Sequence, residues 1–147
     1  MHKNAKIFII IFAIILFLFI LANQPFSFRL SLKKELNARV IEINGLKTDS
    51  FSFKRFYGEE LYRKSNLTAV VEVLDANNKP VKNANVIIFG YGGSGKNLTG
   101  EKGITFISLQ IEPRWSYDTP ENYLSMIAFK DGYDPSIVQR AIKIIFE

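Results

Sequence analysis

A chain of 147 residues, 48% hydrophobic and 14% aromatic, has material for one buried core of ordinary domain size. With no cysteine it has no disulfides, thiolate nucleophiles or thiolate metal sites, and its single histidine, His2, belongs to a basic terminal flank, which is not the setting of a general base. The net charge of +5 includes Lys3 and Lys6 of that flank, and the other cations are scattered without a basic run, so the electrostatic footprint of a nucleic-acid binder is missing.

Residues 1–6 form the basic flank, and residues 7–22 (IFIIIFAIILFLFILA) carry no polar side chain. As a helix, at about 1.5 Å per residue, the run spans roughly 24 Å, somewhat under the roughly 30 Å hydrocarbon core, with Asn4, Asn23 and Gln24 placed to sit at the interfaces. This predicts one N-terminal transmembrane helix acting as an uncleaved signal anchor. The competing reading is a cleaved signal peptide, against which stand the length of the run and bulky Ile20, two positions before the best-placed cleavage point at Ala22. Lys3 and Lys6 on one side and Arg29, Lys33 and Lys34 on the other leave the positive-inside count undecided. The sequons Asn66-Leu67-Thr68 and Asn97-Leu98-Thr99 fit an exterior domain, so the expectation is a cytoplasmic N-terminus, residues 23–147 extracytoplasmic, and possible glycosylation at Asn66 and Asn97.

From Phe26 onward the apolar spacing is two, as in Phe26-Ser27-Phe28-Arg29-Leu30, which places apolar side chains on one face of a strand. Strands are predicted over 26–32, 39–43, 51–56, 67–74, 84–89, 103–111, 123–130 and 141–146, and helical turns near 59–64 and 136–140. Turn chemistry separates the strands at Asp75-Ala76-Asn77-Asn78-Lys79-Pro80, Gly92-Gly93-Ser94-Gly95, Gly100-Glu101-Lys102-Gly103 and Lys130-Asp131-Gly132-Tyr133. Seven or eight short strands point to an all-β sandwich or barrel. Residues 23–65 read as a juxtamembrane β-rich segment and 66–147 as the sandwich domain; whether the segment extends the same sandwich is open.

Within 67–147, Leu67-Thr68-Ala69-Val70-Val71-Glu72-Val73-Leu74-Asp75, Asn78-Lys79-Pro80-Val81 with Asn83-Ala84-Asn85-Val86, Thr99-Gly100-Glu101-Lys102-Gly103-Ile104-Thr105-Phe106 and Ala128-Phe129-Lys130-Asp131-Gly132-Tyr133 carry a resemblance. The stretch resembles bacterial immunoglobulin-like domains of the invasin/intimin type, or carboxypeptidase regulatory-like (transthyretin-like) domains. The resemblance implies an immunoglobulin-like antiparallel β-sandwich. It leaves the aromatic connection at 112–122 and residues 26–65 without a counterpart.

Gly90-Tyr91-Gly92-Gly93-Ser94-Gly95-Lys96-Asn97 matches G-x-G-x-x-G and the first seven positions of a phosphate-binding loop. Asn97, however, replaces the Ser or Thr that would ligate Mg²⁺, and a strand pattern follows where a helix is needed, so the segment reads as a turn between strands. Asp118, Glu121, Asp131 and Asp134 match no calcium-loop spacing and read as turn carboxylates. Arg114, Trp115, Tyr117 and Tyr123, in a loop fenced by prolines, are the candidate interaction residues, although Trp115 is equally suited to capping the core. No catalytic set, cofactor site or metal site is expected. The functional expectation is a non-catalytic, membrane-anchored module of the cell envelope with membrane or envelope proteins as partners. The alternative is a carbohydrate- or small-ligand-binding domain using the loop aromatics.

Overall fold

The computed structural model describes residues 34–53, 62–114 and 122–147, and the expected anchor at 7–22 lies outside them. Apart from 3-10 turns at Tyr62, Pro113 and Arg114, the regular structure of these residues is all β. In chain order the strands are β1 (Lys34–Ile43), β2 (Ser50–Phe53), β3 (Ser65–Asp75), β4 (Asn85–Gly90), β5 (Gly93–Leu98), β6 (Ile104–Ile111), β7 (Tyr123–Phe129), β8 (Tyr133–Asp134) and β9 (Ser136–Phe146). They form two sheets, ordered β6-β3-β1-β8 and β2-β9-β7-β4-β5, which pack as a β-sandwich.

Most neighbours are antiparallel, but β1 runs parallel to β8 and β2 parallel to β9. The second parallel pair arises where the chain changes sheets. Asn44 and Gly45 both take positive φ (50° and 82°), the backbones of Ile43 and Leu46 exchange hydrogen bonds of 2.8 and 2.9 Å, and Asn44 is tied to Thr68 of β3 through its N–H and its Oδ1. Within the stretch 23–65, the described residues 34–53 therefore supply β1 and β2 to the sandwich, and Leu32–Glu147 is one compact unit.

β6 shows the rule that builds the core. Thr105, Ile107, Leu109 and Ile111 are buried while Phe106, Ser108 and Gln110 are exposed, the period of two that a half-buried strand requires. Leu67, Ala69, Val71 and Val73 of β3 share that inner face, opposed by Val86 and Ile88 of β4, Leu124, Met126 and Ala128 of β7, and Ile142 and Ile144 of β9. Each fully buried Leu or Ile contributes about 1.5–3 kcal/mol of transfer free energy, so an aliphatic core of this extent needs no cross-link. One end is closed by aromatic rings, with Phe53 packed on Phe146 and Tyr91 at centroid separations of 5.6 and 6.0 Å.

Two departures from the expected strands have plain causes. Residues 93–98, read as part of a turn, form β5. Their Gly-Ser-Gly-Lys-Asn composition conceals a strand because the glycines answer to the opposite sheet: a Cβ at Gly95 would stand 2.6 Å from the Ser108 carbonyl oxygen, and one at Gly93 would run into the Gln110 carbonyl. Residues 136–140, read as a helical turn, are the start of β9, held by pairing of Ile137 with Ile127 and of Val138 with Met126.

At the opposite end from the rings, the turn after β3 is organised by Asp75. Its buried carboxylate accepts hydrogen bonds from the N–H groups of Asn77 (2.8 Å) and Lys79 (2.9 Å). The Lys79 N–H is the largest influence lowering its pKa from the ordinary 3.8; desolvation opposes it, and the Asn77 N–H and the charges of Lys34 and Lys79 add to it.

Because the folded pKa lies below the unfolded one, the stabilisation from Asp75 is fully present above the unfolded value and is lost as pH falls through the folded value. Urea unfolding from pH 7 down to pH about 2.5 should show an acid loss that is smaller in Asp75→Asn, which is itself less stable than wild type at pH 7. Gly93→Ala should cost about 1–3 kcal/mol or more by overpacking, whereas Gly100→Ala, whose Cβ would meet its nearest neighbour at 3.7 Å, should be nearly neutral in the same assay.

Candidate interaction surface

Tyr91 organises the end of the sandwich near Arg114 and Tyr123, two of the expected interaction residues. It sits with Gly92 in the two-residue connection between β4 and β5, and both have positive φ (51° and 71°), as in the primed turns whose twist suits a hairpin. For a tyrosine this conformation costs about 1–2 kcal/mol, which its complete burial among Phe53 and Phe146 offsets. Its backbone carbonyl accepts the Glu112 N–H at 3.0 Å and its hydroxyl donates to Asn122 Oδ1 at 3.2 Å, so one residue ties both ends of the 112–122 connection, one through the main chain and the other through the ring.

Arg114 is exposed beside that clamp; its Nε donates to Glu112 Oε2 at 2.5 Å and its guanidinium lies 4.9 Å from the Tyr62 ring centroid. Tyr123 is half-buried under the Arg140 guanidinium, 5.7 Å from the ring centroid. Trp115 and Tyr117 lie outside the described residues, as do Asp118 and Glu121. Of the two sequon asparagines, Asn66 is exposed and accepts from Gln110 Nε2 at 3.1 Å. Asn97 is tied at both ends of its amide, donating to the Phe106 carbonyl at 2.9 Å and accepting from the Leu98 N–H at 2.9 Å.

A surface that the loop-centred reading missed covers the outer face of the five-stranded sheet. Ile87, Ile127 and Ile137 stand opposite one another across β4, β7 and β9; Leu98 and Phe129 flank Asn85 in a second row; Phe89 stands opposite Ser125. Ile137 is 65% exposed, Leu98 51%, Phe129 42% and Phe89 39%. The four strands β4, β5, β7 and β9 contain no Asp or Glu, and their cations are Lys96, Arg140 and Lys143. The signal was present in the sequence: Val86-Ile87-Ile88-Phe89 and Met126-Ile127-Ala128-Phe129 do not alternate, so both faces of those strands are apolar, as in strands covered on both sides.

The outer face of the other sheet differs. An open groove of about 620 Å³ is lined by Asn66, Thr68, Ser94, Ser108 and Gln110, with Leu67 and Leu109 at its floor. The apparent phosphate loop forms the turn and strand just described, and β5 is followed by the segment leading into β6, where a phosphate-binding loop would continue into a helix. Among the described residues no three His, Cys, Asp or Glu side chains stand close enough to share a metal ion, and no helix is long and apolar enough to cross a membrane.

The chain matches no protein-family model, no curated protein and no solved structure.

Replacing Tyr91 should separate its two contributions in urea unfolding. Tyr91→Phe removes one hydrogen bond and costs about 1 kcal/mol, while Tyr91→Ala also empties the aromatic end and costs about 3–5 kcal/mol.

Proposed function

We propose that the chain is a non-catalytic, single-pass membrane-anchored module of the cell envelope, its N-terminus cytoplasmic and its sandwich extracytoplasmic. In this reading the sandwich binds another protein through the outer face of its five-stranded sheet. The observation that carries it is the apolar row Ile87, Ile127 and Ile137 with Phe89, Leu98 and Phe129 around it. A cluster of exposed aliphatic and aromatic groups on a rigid sheet has the character of an interface centre, since scattered apolar residues do not line up in this way.

Charge specifies the partner further. With Lys96, Arg140 and Lys143 on strands that lack any carboxylate, two copies set face to face would oppose cation to cation. The complementary partner is a protein surface with an apolar centre and Asp or Glu at its margin.

The immunoglobulin-like assignment belongs to the same proposal. Its support is the strand order: β1, β3 and β6 in one sheet, β4, β7 and β9 in the other, with β5 added beside β4 and the first strand divided between sheets so that β2 runs parallel to β9. Support for the anchor is the uninterrupted apolar run at 7–22, and support for a non-catalytic role is the lack of cysteine and of any histidine beyond His2.

The test is extraction of the full-length chain from its native membrane in mild detergent, with protease protection on intact cells to establish sidedness. Wild type should co-purify with a stoichiometric protein partner. Ile137→Asp should weaken that association by about tenfold or more with an unchanged melting temperature, and Lys96→Glu combined with Lys143→Glu should weaken it and flatten its salt dependence. A partner-free wild-type particle, or a partner retained at full stoichiometry by Ile137→Asp, would overturn the reading.

A further inference from the structure

We propose that the groove on the outer face of the β3–β6 pair is a binding site for a neutral carbohydrate chain, separate from the apolar face and independent of its function. Along β6 the outward side chains are Phe106, Ser108 and Gln110, and opposite them on β3 stand Val70, Thr68 and Asn66. Ser94 of β5 completes the wall. An aromatic ring, 64% exposed, thus stands at one end of a two-strand row of four hydroxyl and amide groups; from Phe106 to Gln110 the row extends roughly 13 Å at about 3.3 Å per residue.

Three features select the ligand class. First, none of the polar side chains lining the groove is ionisable; the nearest charges lie beyond it, Arg39 paired with Glu72 at 2.6 Å, Glu42 opposite Val70 on β1, and Glu112 shared by Lys64 at 3.9 Å and Arg114 at 2.5 Å. The groove itself supplies no cation to hold a phosphate or carboxylate. Second, the polar groups are pre-positioned and still incompletely used. Gln110 Nε2 donates to Asn66 Oδ1 at 3.1 Å and the Thr68 and Ser108 hydroxyls pair at 3.2 Å, leaving the Asn66 amide hydrogens and Gln110 Oε1 for a ligand that both donates and accepts, as sugar hydroxyls do. Third, a peptide cannot add as a strand at this edge. β5 lies along β6, with Gly93 and Gly95 against the Gln110 and Ser108 carbonyls and Asn97 donating to the Phe106 carbonyl. What stays available is the side-chain face, with Phe106 as a platform for the apolar side of a sugar ring.

The experiment is an NMR titration of the isotope-labelled full-length chain in detergent micelles with cellohexaose, maltohexaose and chitohexaose, and with oligogalacturonate as an anionic comparator. Because a glycan on Asn66 would fill the same groove, the chain is produced without N-glycosylation. At least one neutral oligosaccharide should give saturable shifts confined to amides at 66–68, 94 and 106–110, insensitive to salt. Phe106→Ala and Gln110→Ala should each weaken binding about tenfold with an unchanged melting temperature, and Phe106→Tyr should restore it. No saturable shift with any of the three, shifts confined to residues 115–121, tighter binding of the anionic oligomer, or affinity unchanged by Phe106→Ala would each overturn the proposal.

Discussion

The approach of β5 to β6 is the constraint on which the surfaces of this sandwich depend. Two sheets normally stand about 10 Å apart, filled by side chains from both inner faces. Along this edge the filling is removed: Gly93 and Gly95 present no side chain, and the backbones of the two edge strands come together. The exposed main chain of β6, an edge that could otherwise recruit another strand, is covered as a result, and Asn97 seals it with a hydrogen bond to the Phe106 carbonyl. The same closure brings Ser94 to the side of Ser108 and Gln110, which turns a flat sheet face into a walled groove.

Much of this architecture is legible in the sequence where burial has one side. β6 alternates without exception, and its expected bounds at 103–111 agree with Ile104–Ile111 to one residue. β3, β4 and β7 are likewise recovered within two residues at each end, because apolar runs bounded by Asn, Gly and Pro leave little choice. The failures share a cause. β5 has one aliphatic side chain, Leu98, and owes its conformation to pairing with β4 and its glycines to close contact with β6 of the opposite sheet; β9 before Ala141 owes its own to pairing with β7. Neither influence has a local pattern, so propensity read along the chain assigns a turn to one and a helical turn to the other.

The surfaces were legible in a different degree. The Trp, Tyr and Arg content of the 112–122 connection drew the expectation of an interaction site there; of the expected residues, Arg114 is exposed and salt-bridged to Glu112, and Tyr123 is half-buried beneath Arg140. What residue types alone do not convey is alignment. Ile87, Ile127 and Ile137 are distant in sequence and become one row only once the register of β4, β7 and β9 is known, including the shift between Leu124 and Met126. The row formed by Asn66, Thr68, Ser108 and Gln110 is of the same kind, polar side chains whose common face is created by pairing.

The two outer faces also bear differently on stability, and this separates folding from recognition. The inner face is complete without them: Ile88, Ile107, Leu124, Met126 and Ile142 are fully or almost fully buried between the sheets. Ile137, two-thirds exposed, loses little contact with water on folding and adds little to that core. An apolar residue in such a position gives the folded monomer almost nothing while raising its tendency to associate, a liability on a sheet already closed at one edge. On physical grounds its benefit lies in an association that covers it. The polar groove has the opposite economy: Thr68 pairs with Ser108 and Asn66 with Gln110, and the remaining donors and acceptors of these solvent-facing side chains meet water, so the site costs the fold little while it stands empty. The core therefore sets the positions of both faces, and either can be altered without dismantling it.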